Sequence, residues 1–242
     1  MFKKESLILS CSVLLFVGCG GGGGGSSTPT IQKYDLYSYS LNPSVLSEDK
    51  ISVENNTFTI YADNVQTIKY VDATVYNKNS SNKINEYEFH NNTISTIDQY
   101  NQLIASKTVF AEFEILTDVI KYTYFYDNSV EVITRNVAIG EKIISETDTD
   151  GSVWTCNLNK HYDTINVKDT INSFFGKEYS TSTKTYNDVI EEICVDSVSD
   201  EVLHSFLAKD IGLIFQLNTE TLTTGVKEER FLVVDSHVLL TK

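Results

Sequence analysis

Lys83-Ile84-Asn85-Glu86-Tyr87-Glu88-Phe89-His90 alternates cleanly, with Tyr87 and Phe89 in one phase and Ile84 in the other. A period of two belongs to an extended strand, whose successive side chains leave on opposite faces. Asn91-Asn92 then supplies a turn, because Asn tolerates positive φ, and residues 93–97 are expected to run on as an extended stretch. Working outward, 57–61 (TFTIY), 67–70 and 73–76 read as strands on the N-terminal side. On the C-terminal side, 109–126 carries two strands broken near Thr117-Asp118, and Asp127-Asn128 turns into 129–137.

The remainder keeps the same rhythm. Residues 141–147 and 152–162 flank Thr149-Asp150-Gly151, a strong hairpin signal, and 187–198, 212–219 and 229–240 read as strands. Residues 168–175 form the best short helix, with Ile171, Phe174 and Phe175 at i, i+3 and i+4 and Gly176 placed to cap its end. Residues 199–210 suit either state, and their second half is read as strand. Short strands at this spacing predict an all-β fold, an antiparallel sandwich or half-barrel with one or two short helices. The organisation reads as an N-terminal β lobe over 34–135 and a C-terminal one over 136–242, or as a single large β domain.

The first residues carry a different signal. Lys3 and Lys4 precede an apolar run of ten residues over 7–16. That run falls short of the roughly 20 residues a spanning helix needs, but suits the core of a signal peptide covering 1–18. Phe16-Val17-Gly18-Cys19 resembles the bacterial lipobox, with Phe16 where Leu is more usual. The resemblance implies cleavage before Cys19, a diacylglyceryl group on its sulfur and a third chain on the freed amine. Two or more chains anchor stably where one is marginal. By the same resemblance, Gly20 in place of Asp implies the outer membrane of a bacterial cell envelope, leaving the periplasmic or surface face open. Six glycines, 20–25, then lead into Ser26-Ser27-Thr28-Pro29, so 19–33 reads as the lipidated cysteine and a flexible tether. From Gly20 to Thr30 its root-mean-square reach is roughly 17–20 Å.

Beyond residue 18 the chain carries 17 basic and 32 acidic side chains over 224 residues. Such a field repels phosphate backbones and excludes nucleic acid as a partner. Arg135 and Arg230 are the only arginines, so an arginine cluster for anions cannot be built.

Spacing separates the candidate sites. Glu146, Asp148, Asp150 and Gly151 match positions 1, 3, 5 and 6 of a calcium loop, but position 12 is Asn157 and the flanks read as strands, so a plain hairpin turn is expected. Tyr122, Tyr124 and Tyr126 share one strand face with Ile120, read first as a packing stripe and second as a platform for sugar or peptide. His90, His161, His204 and His237 form no metal-ligand motif, and Cys156 and His161 meet only if a bulge intervenes. The adjacent pairs Glu191-Glu192 and Glu228-Glu229 diverge in a strand and make no catalytic dyad. No nucleophile elbow or phosphate loop occurs. Cys156 and Cys194 are the cysteines left for a candidate disulfide in an oxidising compartment. Cys156 shares a face with Trp154 and Leu158, and Cys194 with Ile190, Glu192 and Asp196, so a bond requires adjacent strands; two separately buried thiols are the alternative.

Residues 139–240 resemble a β-rich module of bacterial envelope lipoproteins, carried by Ala208-Lys209-Asp210-Ile211-Gly212-Leu213-Ile214 before a long final hairpin. The resemblance implies a half-barrel related to lipoprotein carriers and brings no catalytic residue. The expectation is a lipid-anchored envelope protein with a non-catalytic binding or structural role, without metal or cofactor. Its partners are the membrane, through the lipid, and a protein, glycan or hydrophobic ligand. The alternative is a half-barrel carrier of a hydrophobic or lipid ligand.

Overall fold

The computed structural model describes residues 31–47, 50–126, 128–147, 153–199, 201–222 and 224–242. The fold is all-β, with four short helices among the described residues. A short β1 (Lys33–Asp35) leads into two single-turn helices, α1 (Tyr37–Ser40) and α2 (Ser44–Ser47). Then come β2 (Lys50–Ala62), β3 (Val65–Ser80), β4 (Lys83–His90), α3 (Ile97–Ile104), β5 (Ala111–Ile115), β6 (Val119–Tyr124), β7 (Val130–Thr134) and β8 (Asn136–Ala138). The rest is β9 (Lys142–Thr147), β10 (Val153–Asn166), α4 (Val167–Phe175), β11 (Thr185–Asp196), β12 (Val202–Ala208), β13 (Gly212–Thr221) and β14 (Lys227–Thr241).

Twelve strands make one antiparallel sheet in the order β7-β6-β5-β4-β3-β2-β14-β13-β12-β11-β10-β9, and β1 pairs separately with β8. The outer strands β7 and β9 come back against each other, so the sheet nearly closes into a barrel. Closure reduces the unpaired edge that a long open sheet would expose. Strands of 34–135 and of 136–242 belong to this one sheet, joined where β2 pairs with β14 from Lys50↔Thr241 to Ala62↔Glu228. The strands of 34–135 and of 136–242 thus form two contiguous halves of one sheet that is continuous across this seam, and Gln32–Lys242 is one compact unit.

The inner face of the sheet is filled by the chain's own N-terminal segment. Tyr34, Leu36 and Tyr39 pack among Ile120, Cys156, Leu158, Ile190 and Cys194, residues drawn from both ends of the strand order. Leu41 and Val45 continue the plug against Tyr76 and Ile84. Arg135 holds it in place with a two-pronged ion pair to Asp35, Nε to Oδ1 at 2.6 Å and Nη2 to Oδ2 at 2.8 Å, the geometry in which Arg is strongest.

The outer face is sealed by the two longer helices. Beneath α3, Ile94 and Tyr100 cover Ile51, Val53, Ala73, Val75 and Phe89. Beneath α4, Val167 and Ile171 cover Phe206, Phe215, Phe231 and Val233. Each large side chain so buried contributes about 1.5–3 kcal/mol. The expected helix at 168–175 is α4, with Asn166 capping its start and Gly176, at φ 71°, ending it in the left-handed region. The second half of 199–210 is strand β12, as expected. The extended reading of 93–97 gives way to a loop that ends at the cap of α3. Thr96 accepts from the Gln99 amide and the Gln99 side chain returns to the Thr96 amide, a capping box that starts a helix there.

Candidate functional site

Three neighbouring strands carry chemically unlike residues onto the inner face beyond the plug. In register, Asn56 of β2 lies opposite Asp72 of β3, which lies opposite His90 of β4. Phe58 lies opposite Tyr70, and Thr74 stands between Glu54 and Glu88. By alternation these share the face of Tyr76 and Glu86, while Val53, Val75 and Phe89 point the other way, under α3. Together with Leu232 of β14 they enclose a cavity of about 110 Å³. The Phe58 and Tyr70 rings form one wall, 5.0 Å apart between centroids and tilted by 35°.

The polar lining is rich in acceptors. Asn56 is 7 % exposed; its amide nitrogen donates to the Thr74 hydroxyl at 3.4 Å, and its buried Oδ1 has no hydrogen-bond partner. Leaving such an atom unsatisfied costs about 1–3 kcal/mol. Asp72 accepts from the Asn91 amide at 2.8 Å, and its other oxygen lies 3.2 Å from His90 Nδ1. His90 Nε2 is 3.9 Å from Glu88 Oε2. Burial raises the Glu88 pKa, with His90 opposing and Asp72 adding to the rise.

Beyond Glu88 and His90 the cavity adjoins an open groove of about 720 Å³, lined by Lys107, Thr108, Phe110, Phe125 and Tyr126. Tyr126 is 71 % exposed and stacks on Phe110 at 5.8 Å. The tyrosine stripe therefore changes character along its length. Tyr122 is buried, with its ring 4.2 Å from that of Phe113 and its hydroxyl donated to Glu86, whereas Tyr126 stands in the groove.

Deeper inside lie two carboxyl groups with little compensation. Glu54 is 2 % exposed and accepts from the Tyr76 hydroxyl at 3.5 Å. Burial, then the neighbouring Glu86, hold its pKa well above the carboxylate range. Burial pushes Glu86 up to about 7, despite the Tyr122 hydroxyl. Glu54 also fills the space beside Gly212, where a Cβ would lie 2.5 Å from its Oε1.

Cys156 and Cys194 are register partners on β10 and β11, joined by a disulfide with Cα atoms 3.9 Å apart. Glu192 Oε1 is 3.9 Å from Cys194 Sγ, and desolvation pushes its pKa up to about 7. These three side chains are the group whose ligand atoms lie within 4.8 Å of one another among the described residues, but sulfurs bonded to each other offer no thiolate to a metal.

The other sequence candidates scatter. A register shift between Leu158 and Lys160 brings His161 against Tyr34, yet its partner is Asp188, at 2.9 Å, which also accepts from the Tyr39 hydroxyl at 2.6 Å. His204 sits 2.8 Å from Glu191, and His237 Nε2 lies 2.8 Å from the Leu213 carbonyl. Glu191 and Glu192 diverge, as do Glu228, which accepts from Arg230, and Glu229, which pairs with Lys177. Glu146 lies in β9, while Cys19, Asp148, Asp150 and Gly151 lie outside the described residues. Of the pocket residues, His90 is the one among the candidates read from the sequence, weighed there as a metal ligand. The signal for the others was the carboxylates Glu86 and Glu88 in phase with Ile84, an apolar residue that marks that face as covered. Neither a family model nor a curated protein matches the chain.

Proposed function

We propose that the protein is a lipid-anchored bacterial envelope protein that binds a ligand without transforming it, in the pocket between β2, β3 and β4. The observation that carries the binding part is a cavity with an aromatic side, Phe58 and Tyr70, and a polar side that includes Asp72, Thr74, Glu88 and His90, with an open groove next to it. Rigid strands on a nearly closed sheet, with helices sealing their far side, hold such a pocket in one shape, which suits recognition. Carriage of a hydrophobic ligand is less well supported, because Tyr34, Leu36, Tyr39, Leu41 and Val45 occupy the inner apolar volume. The anchor rests on Phe16-Val17-Gly18-Cys19 and the glycines after it.

Native mass spectrometry of protein gently extracted from its own membrane tests both parts. The expected species carries acyl chains on Cys19 and a co-purifying small molecule. Cys19→Ala is expected to move the protein out of the membrane fraction. An unmodified cysteine at the mature N-terminus contradicts the anchor, and a bare polypeptide at every stage of extraction contradicts the bound ligand.

A further inference from the structure

We infer that the pocket takes a primary ammonium group, the chemistry that ends a lysine side chain or decorates an amino sugar, seated between the Phe58–Tyr70 wall and the carboxyl oxygens of Asp72 and Glu88. This deepens the binding reading above and rests on it.

Three observations lead there. The first is the balance of donors and acceptors. The Asn56 amide nitrogen is engaged by Thr74, and His90 Nδ1 faces Asp72, whereas two carboxyl groups, Asp72 and Glu88, line the space. A neutral hydroxyl leaves the charge of those carboxyl groups unmatched. An ammonium brings three N–H donors and no acceptor, which matches a wall of oxygens. The second is charge. Asp72 and Glu88 line the cavity and no lysine or arginine does, in a chain of formal net charge −14. Such a field draws cations toward it. The third is shape. On the scale where one water needs about 10–15 Å³, a space of about 110 Å³ takes a small head group. Tyr70, 39 % exposed, and Phe58 offer it ring faces for a cation–π contact.

A bare metal ion fits less well, because Asp72, Glu88 and His90 do not bring three ligand atoms within 4.8 Å of one another. The body of the ligand would lie along the adjoining groove, over Phe110 and Tyr126.

The test is calorimetric titration of the full chain with n-butylammonium and with 1-butanol, which has the same chain and no charge. Butylammonium is expected to bind and butanol not. Tyr70→Ala should weaken binding about threefold, through the lost ring face. Asp72→Asn should weaken it about tenfold, through the lost charge. Tyr70 is partly exposed, so its variant is expected to melt with the wild type, keeping the test independent of folding. Nα-acetyl-lysine methylamide and glucosamine then separate a peptide source from a glycan source. A neutral pyranose held in a Tyr70-dependent way would overturn the ammonium assignment and leave the binding reading standing. Failure of both butylammonium and pyranose to bind would overturn the inference. The binding reading falls with it only if the extracted protein also carries no small molecule.

Discussion

Glu86 makes the fold's energy depend on pH in a direction opposite to that of most carboxylates. Its pKa rises to about 7 on burial, so the folded chain holds that proton more tightly than the unfolded one. The stabilisation is complete below the ordinary carboxylate range, near 4.5, and is lost as pH rises through about 7. Glu54 and Glu192 shift the same way. Burial also disfavours ionised Asp188 and Glu191, but hydrogen bonds from Tyr39 and His161 to the first, and from His204, Asn159 and Tyr162 to the second, bring both pKa values below their usual positions. These two lose their contribution only at more acid pH. The melting temperature is therefore expected to peak on the mildly acid side and fall toward pH 8. Glu86→Gln should flatten that fall and stabilise the protein at pH 8 by up to about 3 kcal/mol. Thermal melts at pH 5, 6.5 and 8 read this directly, and an unchanged slope in the variant would contradict it. Gly212→Ala should act oppositely. Its φ of 113° strains any residue with a side chain, and the new Cβ would force the buried Glu54 carboxyl to shift, so a loss of about 1–3 kcal/mol is expected at every pH.

Among the elements, legibility in the sequence followed the number of unlike faces. β4 was clear because its two phases differ. β3 reads as two short strands because Asp72 interrupts its apolar phase, yet it runs unbroken from Val65 to Ser80. The interruption is a wall of the pocket. α3 escaped notice since it spans only eight residues with one buried side chain, Tyr100, and its signal lay in the cap rather than in periodicity. The pocket itself was illegible, because it exists only once the registers of β2, β3 and β4 bring Asn56, Asp72 and His90 into line. The disulfide belongs to this scale too. The sequence placed each cysteine on its face, but adjacency of β10 and β11 decides whether they meet. Closing 38 residues contributes roughly 3–4 kcal/mol in the chain-entropy model, so the double variant Cys156→Ser/Cys194→Ser should lose about that much in chemical denaturation. Alkylation before and after reduction, read by mass, is expected to label both cysteines only after reduction. Labelling of the unreduced folded protein would contradict the bond.

At the scale of the molecule, the plug explains why a nearly closed sheet needs so little help from helices: residues 34–45 supply the interior that the strands alone leave open. A chain lacking residues 1–47 should keep most of its strands by circular dichroism while binding a dye for exposed apolar surface, and full cooperativity without the plug would contradict its structural role. The seam between β2 and β14 sets a further condition, on the order of events as the protein is made. The strand at residues 50–62 waits for a partner at residues 227–241, so the two ends of the described chain must meet before the sheet is continuous. Contacts so distant in sequence fold slowly, since closing the long loop costs entropy before the pairing repays it. A nascent chain stopped at residue 226 is therefore expected to remain protease-sensitive with no cooperative transition in urea. Until that last strand emerges, the meander from β2 to β7 and the one from β9 to β13 are two halves with no seam to join them.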